Sequence, residues 1–225
     1  DIIDVGGEST RPGSKIISQK NELLRVKKVI EIFKEKFPKT LLSIDTRKSL
    51  VMDFSIKKGA DIVNDVSCFR FDPKSLNIIK NQNLWKVIHH MQGTPQTMQI
   101  NPKYNNVLLD IYDFFEREIE KLKKLKHHKK IILDPGIGFG KNLKHNLMIL
   151  NKISLFHSLG FPILIGTSRK RFINQISGKY DTKERIGGTL SSIMYSLSQG
   201  VKIFRVHNVE EVKQGLLVFE KLLNK

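Results

Sequence analysis

The chain has 225 residues, 40% of them hydrophobic and 27% charged, a globular balance that excludes a disordered or low-complexity protein. No apolar run approaches the roughly 18 residues of a membrane span, and the single cysteine, Cys68, excludes an intrachain disulfide and makes a reducing cytoplasm the expected location. The 39 basic against 22 acidic side chains give a formal charge of +17, but the lysines fall on helix faces that alternate with apolar positions, so the charge reads as solvated surface favouring anionic small substrates rather than nucleic acid or a membrane.

Short runs rich in Ile, Val and Leu alternate with amphipathic stretches from one end of the chain to the other. The first run, 1–5, ends at Gly6-Gly7-Glu8-Ser9-Thr10-Arg11. Leu23, Val26, Ile30, Phe33 and Phe37 then recur at helical spacing, and Pro38 ends that helix. A strand at 41–44 meets Asp45-Thr46-Arg47, with a weaker helix after it. A strand at 62–64 meets Asn64-Asp65, and a second weak helix follows Pro73. The strand at 86–89 meets His89-His90-Met91, and a long helix carries Val107, Ile111, Phe114, Ile119, Leu122 and Leu125. The strand at 131–133 opens onto Asp134-Pro135-Gly136, before a helix marked by Leu143, Leu147, Leu150 and Ile153. The strand at 163–165 meets Gly166-Thr167-Ser168-Arg169-Lys170, and Ile186, Leu190, Ile193 and Leu197 lead to Gly200. The last strand, 202–205, meets Arg205-Val206-His207, and Val209, Val212, Leu216, Phe219 and Leu223 mark the final helix.

A strand, a polar tip and a helix, repeated seven times, is the pattern of a parallel α/β protein. One domain over 1–225 is expected, since no linker or low-complexity segment interrupts it. A TIM (β/α)8 barrel needs eight strands. The chain opens inside a strand, so the expected fold is such a barrel missing its N-terminal strand, with two unpaired edges. An open doubly wound sheet would show G-x-G-x-x-G after an early strand, whereas Gly136-Ile137-Gly138-Phe139-Gly140 has another spacing and follows the fifth.

In parallel α/β proteins ligands bind beyond the carboxyl ends of the strands, so the tips should converge. Asp134 is either a turn or cap residue or a ligand contact; beside it, three glycines let backbone approach a ligand and Phe139 offers a ring face. Asp45 and Asn64 supply further acceptors on neighbouring tips, suited to a donor-rich heterocycle edge. Arg11, Lys170, Arg205 and His207 form a cationic set suited to phosphate oxygens, with hydroxyls from Ser9, Thr10, Thr167 and Ser168. Arg205 and His207 flank a valine and point to one side of the last strand. The pocket expected is acidic on one side and cationic on the other, for a flat nitrogen-rich ring carrying a phosphate or diphosphate. No Ser-His-Asp set is evident. His89 and His90, as adjacent strand residues, face opposite ways, which disfavours a shared metal.

The segments DVGGESTRPGS (4–14), IDTRKS (44–49), ADIVNDVS (60–67), HHMQGTPQTMQ (89–99), ILDPGIGFGK (132–141), GTSRKRF (166–172) and GVKIFRVHNV (200–209) together resemble the dihydropteroate synthase family, in order along the whole chain. The resemblance implies a TIM barrel and a transferase of folate synthesis. Its reaction joins 6-hydroxymethyl-7,8-dihydropterin diphosphate to p-aminobenzoate and releases pyrophosphate. It further implies Asp45, Asn64, Asp134 and Lys170 at the pterin, and Thr10, Arg11, Arg205, Val206 and His207 at the diphosphate, with Lys170, Arg205 and His207 as the catalytic set. Pro12, Phe139 and Arg171 would border p-aminobenzoate. Mg²⁺ is the implied cofactor, with its Asn ligand expected upstream rather than in this chain, and a homodimer the implied assembly. Arg171 stands where the family commonly has Ser; it either pairs with the p-aminobenzoate carboxylate or faces solvent. Alternatives to the synthase are a pterin-binding methyltransferase and a truncated, non-catalytic pterin or anion binder; a methyl-folate substrate would leave the cationic tips without a diphosphate.

Overall fold

The structure, a computed structural model, describes residues 1–178 and 180–223. Among these, seven parallel strands alternate with helices: β1 (Ile2–Gly6), α1 (Gln19–Lys36), β2 (Leu41–Asp45), α2 (Ser49–Lys57), β3 (Ile62–Asp65), α3 (Ser75–Ile79), β4 (Trp85–His89), α4 (Val107–Leu122), β5 (Ile131–Asp134), α5 (Leu143–Asn151), β6 (Leu164–Ile165), α6 (Arg171–Ser177), α7 (Ile186–Ser198), β7 (Ile203–Phe204) and α8 (Val209–Leu223). Every strand expected from the sequence is present. No helix among the described residues is long and apolar enough to cross a membrane.

β1 to β5 pair in sequence order, and β6 pairs with β7. A parallel bridge between Leu133 and Ile163 joins the two groups. Alternation along each strand sends one set of side chains inward and the other outward. Ile62, Val87 and Ile132, with Trp85, Leu164 and Ile203, fill the lower interior of the curled sheet. Leu42, Ile44, Val63, Ile88, Leu133 and Ile165 pack outward against Ile30, Met52, Phe115 and Phe156 from the helices. Each such fully buried side chain stabilises the fold by about 1.5–3 kcal/mol relative to exposure. β1 and β7 do not pair with each other, yet their tips face across the gap: Arg205 Nη1 donates to Asp4 Oδ2 at 3.4 Å, linking the first strand to the last. Ile2 and Ile3 on β1 are 37% and 45% exposed beside that gap.

Local chemistry sets the helix ends. Ser18 caps α1 by accepting from the Asn21 N–H, and Asn106 caps α4 by accepting from Leu108 and Leu109. Asn142 and His145 form a capping box at α5. Four positions of the expected apolar faces are exposed: Phe37, Leu147, Val209 and Leu223. Phe37 is exposed because the backbone leaves the helix there, at φ −128°. Leu147 is exposed because α5 turns Asn146, Ile149 and Leu150 inward; Asn146 Oδ1 accepts from the Gly138 N–H at 2.7 Å, so a polar residue takes a face position.

Candidate active site

The inward side chains at the upper end of the strands are Asp4, Asp45, Asn64, His89, Asp134 and Arg205. Strand register makes them neighbours: Asp45 lies opposite Asn64, and His89 opposite Asp134. Asn64 Nδ2 donates to Asp4 Oδ2 at 3.2 Å. Asp134 Oδ1 accepts the Gly136 N–H at 2.8 Å, which leaves Oδ2 turned to the interior. Arg205 reaches into this group, 3.4 Å from Asp4, 4.0 Å from Asp45 and 3.6 Å from Asp134. The acidic and cationic sides foreseen from the sequence are therefore interleaved, with Arg205 among the acids. Solvent enters from above: the side chains of Arg205, Asp4 and Asp45 are 28%, 24% and 18% exposed.

Four of the seven buried side-chain polar atoms without a hydrogen-bond partner, counted among the described residues, belong to this ring: Asp45 Oδ1, Asn64 Oδ1 and both His89 nitrogens. Native structures satisfy nearly all such atoms, so their concentration at one mouth marks a place for a polar ligand. The electrostatics agree. Burial, then the neighbouring Asp4, pushes the Asp45 carboxyl up to about 8. Burial also raises Asp134, against the pull of Arg205. For Arg205 burial acts downward, but Asp134, Asp4 and Asp45 outweigh it and hold the guanidinium charged.

The remaining bases stand around the mouth. Lys170 precedes α6, and its Nζ lies 4.3 Å from the centroid of the buried Phe139 ring. Burial, then Arg205, lowers Lys170 to about 8. His207 Nδ1 is 3.0 Å from Ser168 Oγ. Burial lowers His207, and the charges of Arg169, Arg11, Lys170 and Arg205 lower it further, which brings four of the expected basic residues into one field. Val206 lies half-buried between Arg205 and His207, and Arg171 opens α6 with an exposed side chain.

Thr10, Arg11 and Pro12 ride on the loop after β1, where Thr10 is half-buried and the other two are exposed. The loop is fastened at both ends. Its outer part donates Gly13 N–H to Pro95 O at 3.1 Å and accepts Gln96 Nε2 at Ser14 O at 2.8 Å. At its base Glu8 accepts from the Ile17 N–H at 3.0 Å and is itself held by Arg47 and by Lys48, whose Nζ lies 2.7 Å away. Lys48 also binds Glu22, which accepts from the Thr46 hydroxyl. Burial would raise the Glu8 carboxyl, but hydrogen bonds from Lys48 and Arg47 outweigh it and lower its pKa.

Sequence reasoning missed Asp4, Glu8, Glu22, Lys48 and His89. The parity of β1 and β4 was the available signal for Asp4 and His89: Asp4 is two residues from Gly6 at the tip, and His89 continues the inward series Trp85, Val87. His89 and His90 do face opposite ways; His90 Nδ1 instead meets Lys141 Nζ at 2.9 Å. No group of three or more His, Cys, Asp or Glu that could hold a metal ion comes together among the described residues. Arg205 stands between the inward acids, so these side chains do not fit a resident Mg²⁺.

The family model of pterin-binding enzymes matches residues 1–207. The dihydropteroate synthase of Escherichia coli (strain K12) is 40% identical over 224 residues, covering 99% of this chain and 78% of that protein. The chain belongs to the dihydropteroate synthase family. Solved structures agree. A Yersinia pestis dihydropteroate synthase in complex with a sulfonamide drug matches with a TM-score of 0.95 and 36% identity, over 100% of this chain and 81% of that one. A Xanthomonas albilineans dihydropteroate synthase with 4-aminobenzoic acid matches with a TM-score of 0.91 and 31% identity, over 99% of this chain and 79% of that one. A dihydropteroate synthase is a transferase on a TIM barrel, which accounts for the curled parallel sheet and for a site at its strand tips.

Proposed function

We infer that this chain condenses 6-hydroxymethyl-7,8-dihydropterin diphosphate with p-aminobenzoate to give 7,8-dihydropteroate and pyrophosphate. The observation that carries the reading is the ring of inward polar side chains with unspent hydrogen-bonding atoms, bordered by Arg11, Lys170, Arg205 and His207. Asp45, Asn64 and Asp134 offer acceptors to the donor edge of the pterin. Lys170 and Phe139 wall one side, where Phe139 and Pro12 border the aryl amine. Arg11, Thr10, His207 and the Val206 backbone face the diphosphate, and the Arg205 charge serves both halves.

In the reaction the bond from the exocyclic methylene to the diphosphate oxygen breaks, and its electron pair leaves with pyrophosphate. The methylene carbon becomes electron-poor, which the surrounding carboxylates favour, while the basic groups favour the departing anion. The lone pair of the aryl amine forms the new C–N bond, and the nitrogen then releases a proton. The amine needs positioning more than activation, and no protein nucleophile takes part. Mg²⁺ belongs to this reading only as a counter-ion arriving with the diphosphate. A homodimer and a cytoplasmic location belong to it as well; the latter is supported by Cys68, a buried free thiol.

The test is pyrophosphate release by the chain given both substrates, with dihydropteroate detected as the second product. Release that depends on p-aminobenzoate supports the reading. Pterin binding without release points to a non-catalytic binder, and methyl transfer without release to the methyltransferase alternative.

A further inference from the structure

His89 is fully buried at the end of β4, directly opposite Asp134 in the sheet. Neither ring nitrogen has a hydrogen-bond partner. Phe139 stands edge-on to the imidazole, with centroids 4.4 Å apart, and a Cβ on Gly136 would lie 3.0 Å from His89 Cε1. The ring is thus walled in, and its Nε2 edge points to Asp134 Oδ2 at 3.8 Å. That separation is too long for a hydrogen bond between the two. Asp134 Oδ2 is also free of the Gly136 contact that occupies Oδ1. Burial, and then the charges of Arg205, Lys141 and Lys170, keep the imidazole neutral, while the nearby Val66 backbone, whose geometry falls short of a hydrogen bond, acts the other way. A neutral imidazole has one N–H to give and one lone pair to accept with.

An acceptor oxygen and an imidazole nitrogen, side by side and unable to satisfy each other, match the edge of a cyclic amide. Its N–H meets the carboxylate and its adjacent carbonyl meets the imidazole N–H. Building on the proposed function, we propose that His89 contacts the heterocycle directly and determines which ring is accepted: Nε2–H donates to the ring carbonyl beside the N–H taken by Asp134. Asp45, Asn64 and Asp134 supply acceptors; His89 supplies the donor they lack. An unpaired buried imidazole would otherwise lower stability, since a polar group without a partner costs about 1–3 kcal/mol. Ligand binding removes that deficit, so His89 favours the complex over the empty site.

The test crosses a change in the protein with a change in the ligand. Calorimetry gives Kd for 6-hydroxymethylpterin and for 2-amino-6-hydroxymethylpteridine, which lacks the carbonyl and with it the ring N–H (a loss common to every variant), with the unaltered chain, His89→Met and His89→Gln. The unaltered chain prefers the carbonyl-bearing ring, and His89→Met loses about 3- to 12-fold of that preference, as one lost neutral hydrogen bond predicts. His89→Gln, which keeps a donor, retains part of it. His89→Met also melts no lower than the unaltered chain, because it removes two unpaired nitrogens. A structural role would weaken both ligands alike and lower Tm. A preference unchanged within about twofold in His89→Met overturns the proposal. Should His89→Met fail to fold, the ¹⁵N resonances of the His89 ring in the unaltered chain decide: they move on adding the carbonyl-bearing ligand and stay in place with the other, and equal responses overturn the proposal. If the unaltered chain binds neither pteridine and releases no pyrophosphate, the proposed function falls first; binding and release without the coupling remove only the His89 contact.

Discussion

Lys48→Met destabilises the fold by about 3–5 kcal/mol, the cost of removing one partner from a buried ion pair. The structure shows why the loss is large. The Lys48 side chain is 2% exposed and its ammonium bridges Glu8 and Glu22, themselves 5% and 0% exposed. Without it, Glu8 still has Arg47 and the Ile17 N–H, but Glu22 keeps only the Thr46 hydroxyl. For a chain of this size the loss lowers Tm by about 6–20 °C. Adding Glu22→Leu removes the stranded charge, so the double variant is more stable than Lys48→Met alone by at least about 1 kcal/mol. Urea unfolding of the two variants measures both differences. A deficit below about 1 kcal/mol, or a double variant weaker than Lys48→Met, would refute the reasoning. The same change frees the base of the loop bearing Thr10 and Arg11, so KM for the diphosphate substrate rises even well below the melting temperature.

Asp45→Asn raises Tm while abolishing pterin affinity. The Asp45 carboxyl has its pKa raised to about 8, so its stabilising part is present below the unfolded value of about 4 and declines as pH climbs towards 8; the gain in Tm from the amide is larger at pH 8 than at pH 5, and calorimetric scans at the two values check it. Arg205→Ala lowers pyrophosphate release by at least about 100-fold, since it leaves Asp4, Asp45 and Asp134 facing one another. Arg169→Ala stays within about tenfold, because its guanidinium is spent on Asn208, at 2.7 Å; equal losses in steady-state assays would contradict the separation. Gly136→Ala destabilises by about 3 kcal/mol or more, because φ is +70° and a Cβ would stand 2.0 Å from His90 O; soluble protein with an unchanged urea midpoint would refute it.

Much of the fold was legible because its signals are local. Runs rich in Ile, Val and Leu that stop at Asp45, Asn64 and Asp134 locate strands and tips together, and spacings such as Val26 to Ile30 locate the helix faces that cover them. Faces became illegible where a polar residue took an inward place, as Asn146 did by accepting from a backbone N–H in the site loop. The short β6 and β7 were found for a different reason: a two-residue strand shows no alternation, but Gly166 and Arg205 mark the tips beyond them. His89 was out of reach by composition; strand parity sets it apart from His90, and the register with Asp134 shows which of the two turns into the mouth.

Asp4 and Glu8 lie in one motif, four residues apart, and no sequence property separates their tasks. Geometry does. Around Glu8 every charged group is paired at short range: Lys48 bridges Glu8 at 2.7 Å and Glu22 more closely still, and Arg47 completes the set over the Phe71 ring. Such an arrangement has no capacity left for a ligand and serves to fix a backbone. Around Asp4 the ion pairs run from 3.4 to 4.0 Å, one cation is shared among three carboxylates, and acceptor atoms on Asp45 and Asn64 have no partner. Charges set that far apart stabilise the empty fold little, and burial raises the proton affinities of Asp45 and Asp134. The two clusters share a loop, so the tight one holds in place what the loose one needs for binding. A variant that tightened the Asp4 cluster, by giving each acid its own cation, would therefore gain stability at the expense of the pterin site.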